Sequence, residues 1–224
     1  MNSFYIDFRF HGYSKRYLNS LKREMSRKFR VKGEHGIPHM TLYGPFRTTD
    51  SRGVFSRIER VVARYTLVPF CIDGFDLKSG RGGEVVAGRI NASPELINLR
   101  RELAEELNKI VRIDDRQPWD NEDNFWFHTT IVMDVNHRKY EGIWHYINRK
   151  PKPHINQHLV RITILNRRGR IEREYDLVLK RWLNRRQALS KGLFRKTIDA
   201  LGELHGEVPE ERFSITNWLR KIFK

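Results

Sequence analysis

The chain has 224 residues, a single cysteine (Cys71) and a formal net charge of +16, with 43 lysines and arginines against 27 aspartates and glutamates. That length can bury a core without disulfide staples. One cysteine excludes an internal disulfide framework and a cysteine-rich zinc site, and no apolar run approaches the roughly 20 residues that span a bilayer. The positive charge makes a polyanion, nucleic acid first, the expected partner, because each neutralised phosphate releases condensed counterions.

Met1 to Arg9 alternates apolar and polar residues and reads as a strand rather than a leader, which with the lone cysteine predicts a cytoplasmic protein. Spacing of three and four predicts a helix from about Ser14 to Phe29. A second strand starts near Pro38 and carries His39-Met40-Thr41-Leu42-Tyr43 before Gly44-Pro45, and Ser51 to Tyr65 again has helical spacing. Phe70 to Leu77 and Glu84 to Ile90 read as a hairpin across Ser79-Gly80-Arg81-Gly82-Gly83; no helix follows these glycines and no lysine sits where a phosphate loop needs one.

Ser93-Pro94-Glu95 is a helix start, with Ser93 as cap, leading into Leu96 to Val111. An acidic, irregular loop from Asp114 to Asp123 empties into Phe125-Trp126-Phe127-His128-Thr129-Thr130-Ile131-Val132-Met133, an aromatic and β-branched run typical of a strand. A short helix over Tyr140 to Asn148, a linker over Lys150 to Pro153 and a hairpin of Leu159 to Asn166 with Ile171 to Leu179 follow. From about Asn184 two basic amphipathic stretches, Ser190 to Leu204 and Ser214 to Phe223, form an extension. The division is thus a domain over 1–183 and a helical extension over 184–224.

Strand side chains alternate faces, so His39 points with Thr41 and His128 with Thr130. Each strand presents one imidazole beside one hydroxyl, and the motif occurs twice after similar strand, helix and hairpin material. Two histidines suit displacement at phosphorus: a neutral one takes the proton of the attacking oxygen and a protonated one gives a proton to the departing oxygen. The hydroxyls can donate to the nonbridging oxygens as charge grows there, an interaction worth about 2.7 to 4 kcal/mol per donor in other enzymes. This chemistry needs no metal and no cofactor. Neither His35 with His39 nor His154 with His158 has the context of a metal site.

Ile37-Pro38-His39-Met40-Thr41-Leu42-Tyr43-Gly44-Pro45-Phe46 and Phe127-His128-Thr129-Thr130-Ile131 resemble the paired His-x-Thr motifs of the 2H phosphoesterase superfamily, which includes 2′-5′ RNA ligase-like proteins and cyclic phosphodiesterases. The resemblance runs over roughly Met1 to Lys180. It implies an α+β, bilobal, pseudo-twofold fold, with antiparallel sheets lining a basic cleft and helices outside. It implies His39 and His128 as the acid–base pair and Thr41 and Thr130 as the phosphate-holding hydroxyls, with the two histidine roles open between them. It implies action on RNA 2′,3′-cyclic phosphate ends or 2′,5′ linkages; a non-catalytic protein that holds RNA ends is the alternative.

Tyr43 and Trp126 share the faces of the two motifs and are candidate platforms for a base or ribose. Arg47, Arg89 and Arg167 lie in or beside loops that could border the cleft and are candidate phosphate contacts, as are Arg81 and Arg168. The extension is expected to dock on the body. RNA, a protein partner or an anionic membrane surface are its other possible contacts.

Overall fold

The computed structural model describes residues 2–31, 36–80, 82–113 and 125–205; the acidic loop 114–123, His35, Arg81 and the stretch 214–223 lie outside the described residues. The elements run in order β1 (Asn2–Arg9), α1 (Gly12–Phe29), β2 (His39–Thr48), α2 (Ser51–Val62), β3 (Pro69–Gly80), β4 (Gly83–Ala92), α3 (Pro94–Leu107) and β5 (Arg112–Ile113). They continue with β6 (His128–Val135), α4 (His137–Asn148), β7 (Ile155–His158), β8 (Arg161–Asn166), β9 (Ile171–Asp176), β10 (Arg181–Leu183), α5 (Arg185–Ala188) and α6 (Lys191–His205).

Two antiparallel sheets result, one of six strands in the order β10-β9-β8-β1-β2-β5 and one of four in the order β6-β4-β3-β7. Alternation decides their faces. Phe4, Ile6 and Phe8 of β1 and Ile162 and Ile164 of β8 share a core with Val54, Ile58 and Val61 of α2 and Leu96, Leu99 and Leu103 of α3. The smaller sheet sends Phe75, Val86, Ile131 and Val132 into a second cluster with Leu21 and Met25 of α1 and Ile143 and Ile147 of α4. Each fully buried side chain of this size contributes about 1.5 to 3 kcal/mol. The fold is α+β, with the helices on the outer faces of both sheets.

Local chemistry starts the helices. Asp50 accepts from the Gly53 amide at 2.8 Å ahead of α2, Ser93 from the Leu96 amide at 3.3 Å ahead of α3, and Asn136 from the Lys139 amide at 3.1 Å ahead of α4. Gly88 is needed where α1 crosses β4: a Cβ there would meet Thr129 Cγ2 at 2.9 Å and Leu18 Cδ2 at 3.7 Å. The hairpin of β3 and β4 forms as its glycines predict, and is longer, from Pro69 to Ala92.

Four elements escape the sequence pattern: β5, β7, β10 and α5 have only two to four residues each, too few to show a period. They exist because longer strands and helices offer them an edge or an end to pair with. The first part of the extension is tied to the body through α6 at Leu193 and Thr197. Arg161 of β8 donates from Nε to Asp176 at 3.0 Å, from Nη1 to Glu174 at 3.2 Å and from Nη2 to the Leu193 carbonyl of α6 at 3.1 Å. Thr197 of α6 donates to Asp176 in the same buried network. No helix among the described residues is long and apolar enough to cross a membrane.

Candidate active site

Pro38 delivers the chain into β2, and His39 opens that strand opposite Arg9 of β1, with Thr41 opposite Asp7. Met40 and Leu42 are fully buried in the core while His39 and Thr41 are partly exposed. The imidazole and hydroxyl therefore share the face turned away from α2 and α3. In β6 the same logic holds: Thr129 is fully buried against α1, and His128 and Thr130 lie opposite Arg89 and Ala87 of β4 on the other face.

Within its sheet, β2 pairs with β5 only at Phe46 and Arg47, so its His39 end is bordered by β1 alone; β6 is the outer strand of the smaller sheet. These two strands pack against each other where the sheets meet. The fold thus brings both His-x-Thr strands to one seam.

Both imidazoles are held in the same way. His39 Nδ1 lies 2.9 Å from the carbonyl oxygen of Ile37, and His128 Nδ1 lies 2.8 Å from that of Trp126, in each case the residue two positions earlier. A carbonyl can only accept, so each Nδ1 carries the hydrogen and, in the neutral ring, Nε2 carries the lone pair. The two rings thus share one tautomer.

Trp126 lies flat on His128, with ring centroids 3.8 Å apart and 12° between planes. Its Nε1 donates to Asp76 of β3 at 3.0 Å, it covers Val85 and Ala87, and the Lys78 ammonium sits 5.1 Å from its ring centre. Only 6% of the side chain is exposed. The sequence-based expectation of a base platform is corrected: the ring face is occupied by His128, and Trp126 orients that imidazole.

Arg89 stands across the ladder from His128 and above Gly74, where a Cβ would meet its Nη2 at 3.0 Å. Its Nε donates to Asp73 at 2.8 Å, and that bond pushes the guanidinium pKa above its ordinary value. It remains half-exposed on the motif face, a fixed cation beside the histidine.

Tyr43 departs from expectation. The register slips between Ile6 and Asp7, so that Leu42 is an extra residue on β2 and Tyr43 pairs with Ile6. A bulge of this kind reverses the alternation beyond it, and Tyr43 turns into the core, 3% exposed, with its hydroxyl donating to Asn108 at 2.7 Å. It is no stacking platform. Arg47, opposite Ser3, lies near the far end of β2 from His39. Arg167 follows β8 past Asn166, which pairs with Phe4, about 17 Å along the strands from the Arg9 level. The structure does not bring either arginine beside His39.

Three groups at the site were not singled out from the sequence. Asp7, 2% exposed, lies between Thr41 and Thr163; Arg9 is the neighbour of His39; and Asp76 anchors Trp126. The alternation of the first strand carried the signal for two of them, since Asp7 and Arg9 are its polar positions. Among the described residues no three His, Cys, Asp or Glu side chains form a metal-binding group.

The model of the 2′-5′ RNA ligase superfamily matches residues 15–170. Among solved structures, Usb1 of Kluyveromyces marxianus with uridine monophosphate is 9% identical, over 73% of this chain and 92% of its own, at a TM-score of 0.44. A crystal structure described as a phosphoesterase is 14% identical, over 76% of this chain and 92% of its own, also at 0.44. No curated protein sequence matches this one. Matched from α1 to the turn after β8, with both His-x-Thr strands inside the match, the chain belongs to the 2′-5′ RNA ligase superfamily of 2H phosphoesterases.

Proposed function

We propose that the protein is an RNA phosphoesterase that acts on 2′,3′-cyclic phosphate ends or 2′,5′ linkages through His39 and His128. The observation that carries the proposal is the matched pair of Nδ1-to-carbonyl bonds, at 2.9 and 2.8 Å, on two strands packed at one seam. Acid–base catalysis by two imidazoles needs one titrating nitrogen on each, with its tautomer held.

For a cyclic end, water attacks phosphorus while the neutral histidine takes its proton at Nε2. One ring P–O bond breaks, and the protonated histidine gives its Nε2 proton to the departing ribose oxygen. The product is a phosphate monoester, and the two histidines exchange protonation states, which solvent then restores. Thr41 and Thr130 donate to the nonbridging oxygens as their charge grows. Arg89, held by Asp73, adds a cation on the His128 side.

The test is turnover of an RNA oligonucleotide ending in a 2′,3′-cyclic phosphate, in EDTA, by wild type and by the His39→Ala, His128→Ala double variant. Conversion by the wild type alone supports the two-histidine reaction, and the position of the product phosphate identifies the bond broken. Tight RNA binding with no conversion by the wild type of either this substrate or a 2′,5′-linked oligonucleotide sinks the enzyme reading in favour of RNA-end binding.

A further inference from the structure

A cavity of about 320 Å³ lies between the end of β1, the start of α1 and the α5–α6 pair. Its size falls in the range of roughly 300 to 1,000 Å³ typical of small-molecule sites. It begins beside the first motif: Arg9, the cross-strand neighbour of His39, lines it, as does Ile37, whose carbonyl holds the His39 imidazole.

The distribution of charge within it is uneven. Arg9, Lys15 and Lys191 are lining cations that keep solvent contact. Deeper in, Arg161 is already committed to Asp176 and Glu174, and Thr163 donates to Glu174 at 2.7 Å. A phosphate pushed to that depth would meet a buried carboxylate and no uncommitted cation, which disfavours it there. Phe10, Leu189 and Phe194 supply apolar wall.

One polar group among these has no partner. His11 Nε2 is buried without a hydrogen bond among the described residues, its ring held against Phe194 at 4.7 Å and Phe8 at 5.9 Å between centroids. Burial, and then Arg161, lower its pKa to about 4, so it is neutral at physiological pH. A neutral imidazole can offer one hydrogen bond to an uncharged ligand, and a buried polar atom left without one is unfavourable.

We infer that this cavity receives the nucleoside adjoining the reacting phosphate, its base among Phe10, Phe194 and Leu189 and hydrogen-bonded to His11, its flanking phosphates at Arg9, Lys15 and Lys191. The inference rests on the reading of His39 and His128 as the reaction centre for RNA. It makes α5 and α6, beyond the segment matched by the family model, a wall of the substrate site. Base selectivity then resides in the pairing of His11 with a heterocycle edge, and nucleoside capture depends on the extension.

The test uses the full chain. Binding of uridine and adenosine 3′-monophosphates and of inorganic phosphate is measured by calorimetry for wild type, Leu189→Trp, which fills the cavity from an exposed position, and His11→Leu. Melting curves verify that each variant is folded. At least tenfold weaker binding of the nucleotides by Leu189→Trp, with phosphate binding unchanged, is expected. His11→Leu should narrow the difference between the two bases. Nucleotide affinities within twofold of wild type in both variants, or nucleotides binding no tighter than phosphate, would overturn the inference. Turnover of the cyclic-phosphate RNA separates this from the broader reading: an unchanged KM in Leu189→Trp removes the cavity alone. Loss of nucleotide binding in the variants, with no turnover of cyclic-phosphate or 2′,5′-linked RNA by the wild type, removes the enzyme reading and leaves the cavity as a nucleoside site without a reacting phosphate beside it.

Discussion

Trp126 holds His128 twice, by its ring stacked at 3.8 Å and by its main-chain carbonyl accepting from Nδ1 at 2.8 Å. The ring fixes the plane of the imidazole and the carbonyl fixes its tautomer. The bond from Trp126 Nε1 to Asp76 ties both to β3. Trp126→Ala should lower kcat about 10- to 100-fold, since small misplacements of a reacting group have effects of that size. KM should change much less, and the pH profile of kcat should shift on the limb that belongs to His128. Steady-state kinetics across pH on folded variant measures both, and Trp126→Phe should recover part of the loss. An equal rise in KM with constant kcat would make Trp126 a substrate contact instead.

His39→Asn and His128→Asn each keep a side-chain amide that can donate to the carbonyl of Ile37 or Trp126, and each lose the titrating nitrogen. Turnover should fall by about 10² to 10⁴ for either one, the usual range for a lost acid or base, with RNA affinity nearly intact. Single-turnover cleavage and a binding titration on the same preparations separate the two quantities. The double variant should be little worse than either single, because the two groups act in one step.

Arg89 predicts a different pattern. Its guanidinium is held by Asp73 at 2.8 Å beside His128, so Arg89→Ala should weaken RNA binding about tenfold and reduce the steepness of its salt dependence. The loss in kcat should be smaller than for either histidine. Affinity measured over a series of salt concentrations reads the slope directly.

The buried network under α6 bears on stability. Arg161→Met leaves Glu174 and Asp176 without their cation, and breaking one side of a buried ionic group costs about 3 to 5 kcal/mol. Thr197→Val removes a hydroxyl that bonds Asp176 and should cost about 1 to 2 kcal/mol. Urea unfolding provides the numbers. A loss below 1 kcal/mol for Arg161→Met would mean that the extension is held by other contacts.

His11 gives the stability a pH dependence. Its pKa is about 4 in the folded protein against 6.5 for the free side chain, so between these values the unfolded chain holds more protons. Stability from this group is complete above pH 6.5 and is lost as pH falls towards 4, by about 3 kcal/mol at most. Glu174 acts in the opposite direction, because burial pushes its carboxyl up and the folded state then takes its proton first. The difference between wild type and His11→Asn isolates the histidine: the variant should show a flatter loss of stability between pH 6.5 and 4 in urea titrations.

Much of this was legible in the chain itself. Period two in β1, β2 and β6 and period three to four in α1, α2 and α3 follow from side-chain geometry, which is local. Each strand pairs histidine with threonine on one face for the same reason. Local residue chemistry also carried the hairpin glycines and the cap at Ser93, whereas the cap at Asp50 was read only from the structure.

Only the tertiary structure decided what depends on register and on partners distant in sequence. Tyr43 follows His39 and Thr41 in perfect alternation, yet one extra residue at Leu42 opposite β1 turns it into the core, because register is a property of two strands and not of one. Trp126 was visible beside His128, but its role as a support needed Asp76 from β3 to hold the ring in place. Arg89 and Arg167 look equivalent in a list of arginines; strand pairing puts the first across from His128 and leaves the second past the end of β8. The first stretch of the extension has a basic amphipathic sequence that fits several surfaces equally well, and only the folded chain shows α6 bound to buried Asp176 through Thr197. Periodicity specifies which way a side chain points along its own strand, whereas the distance between two such strands is set by the packing of the whole core.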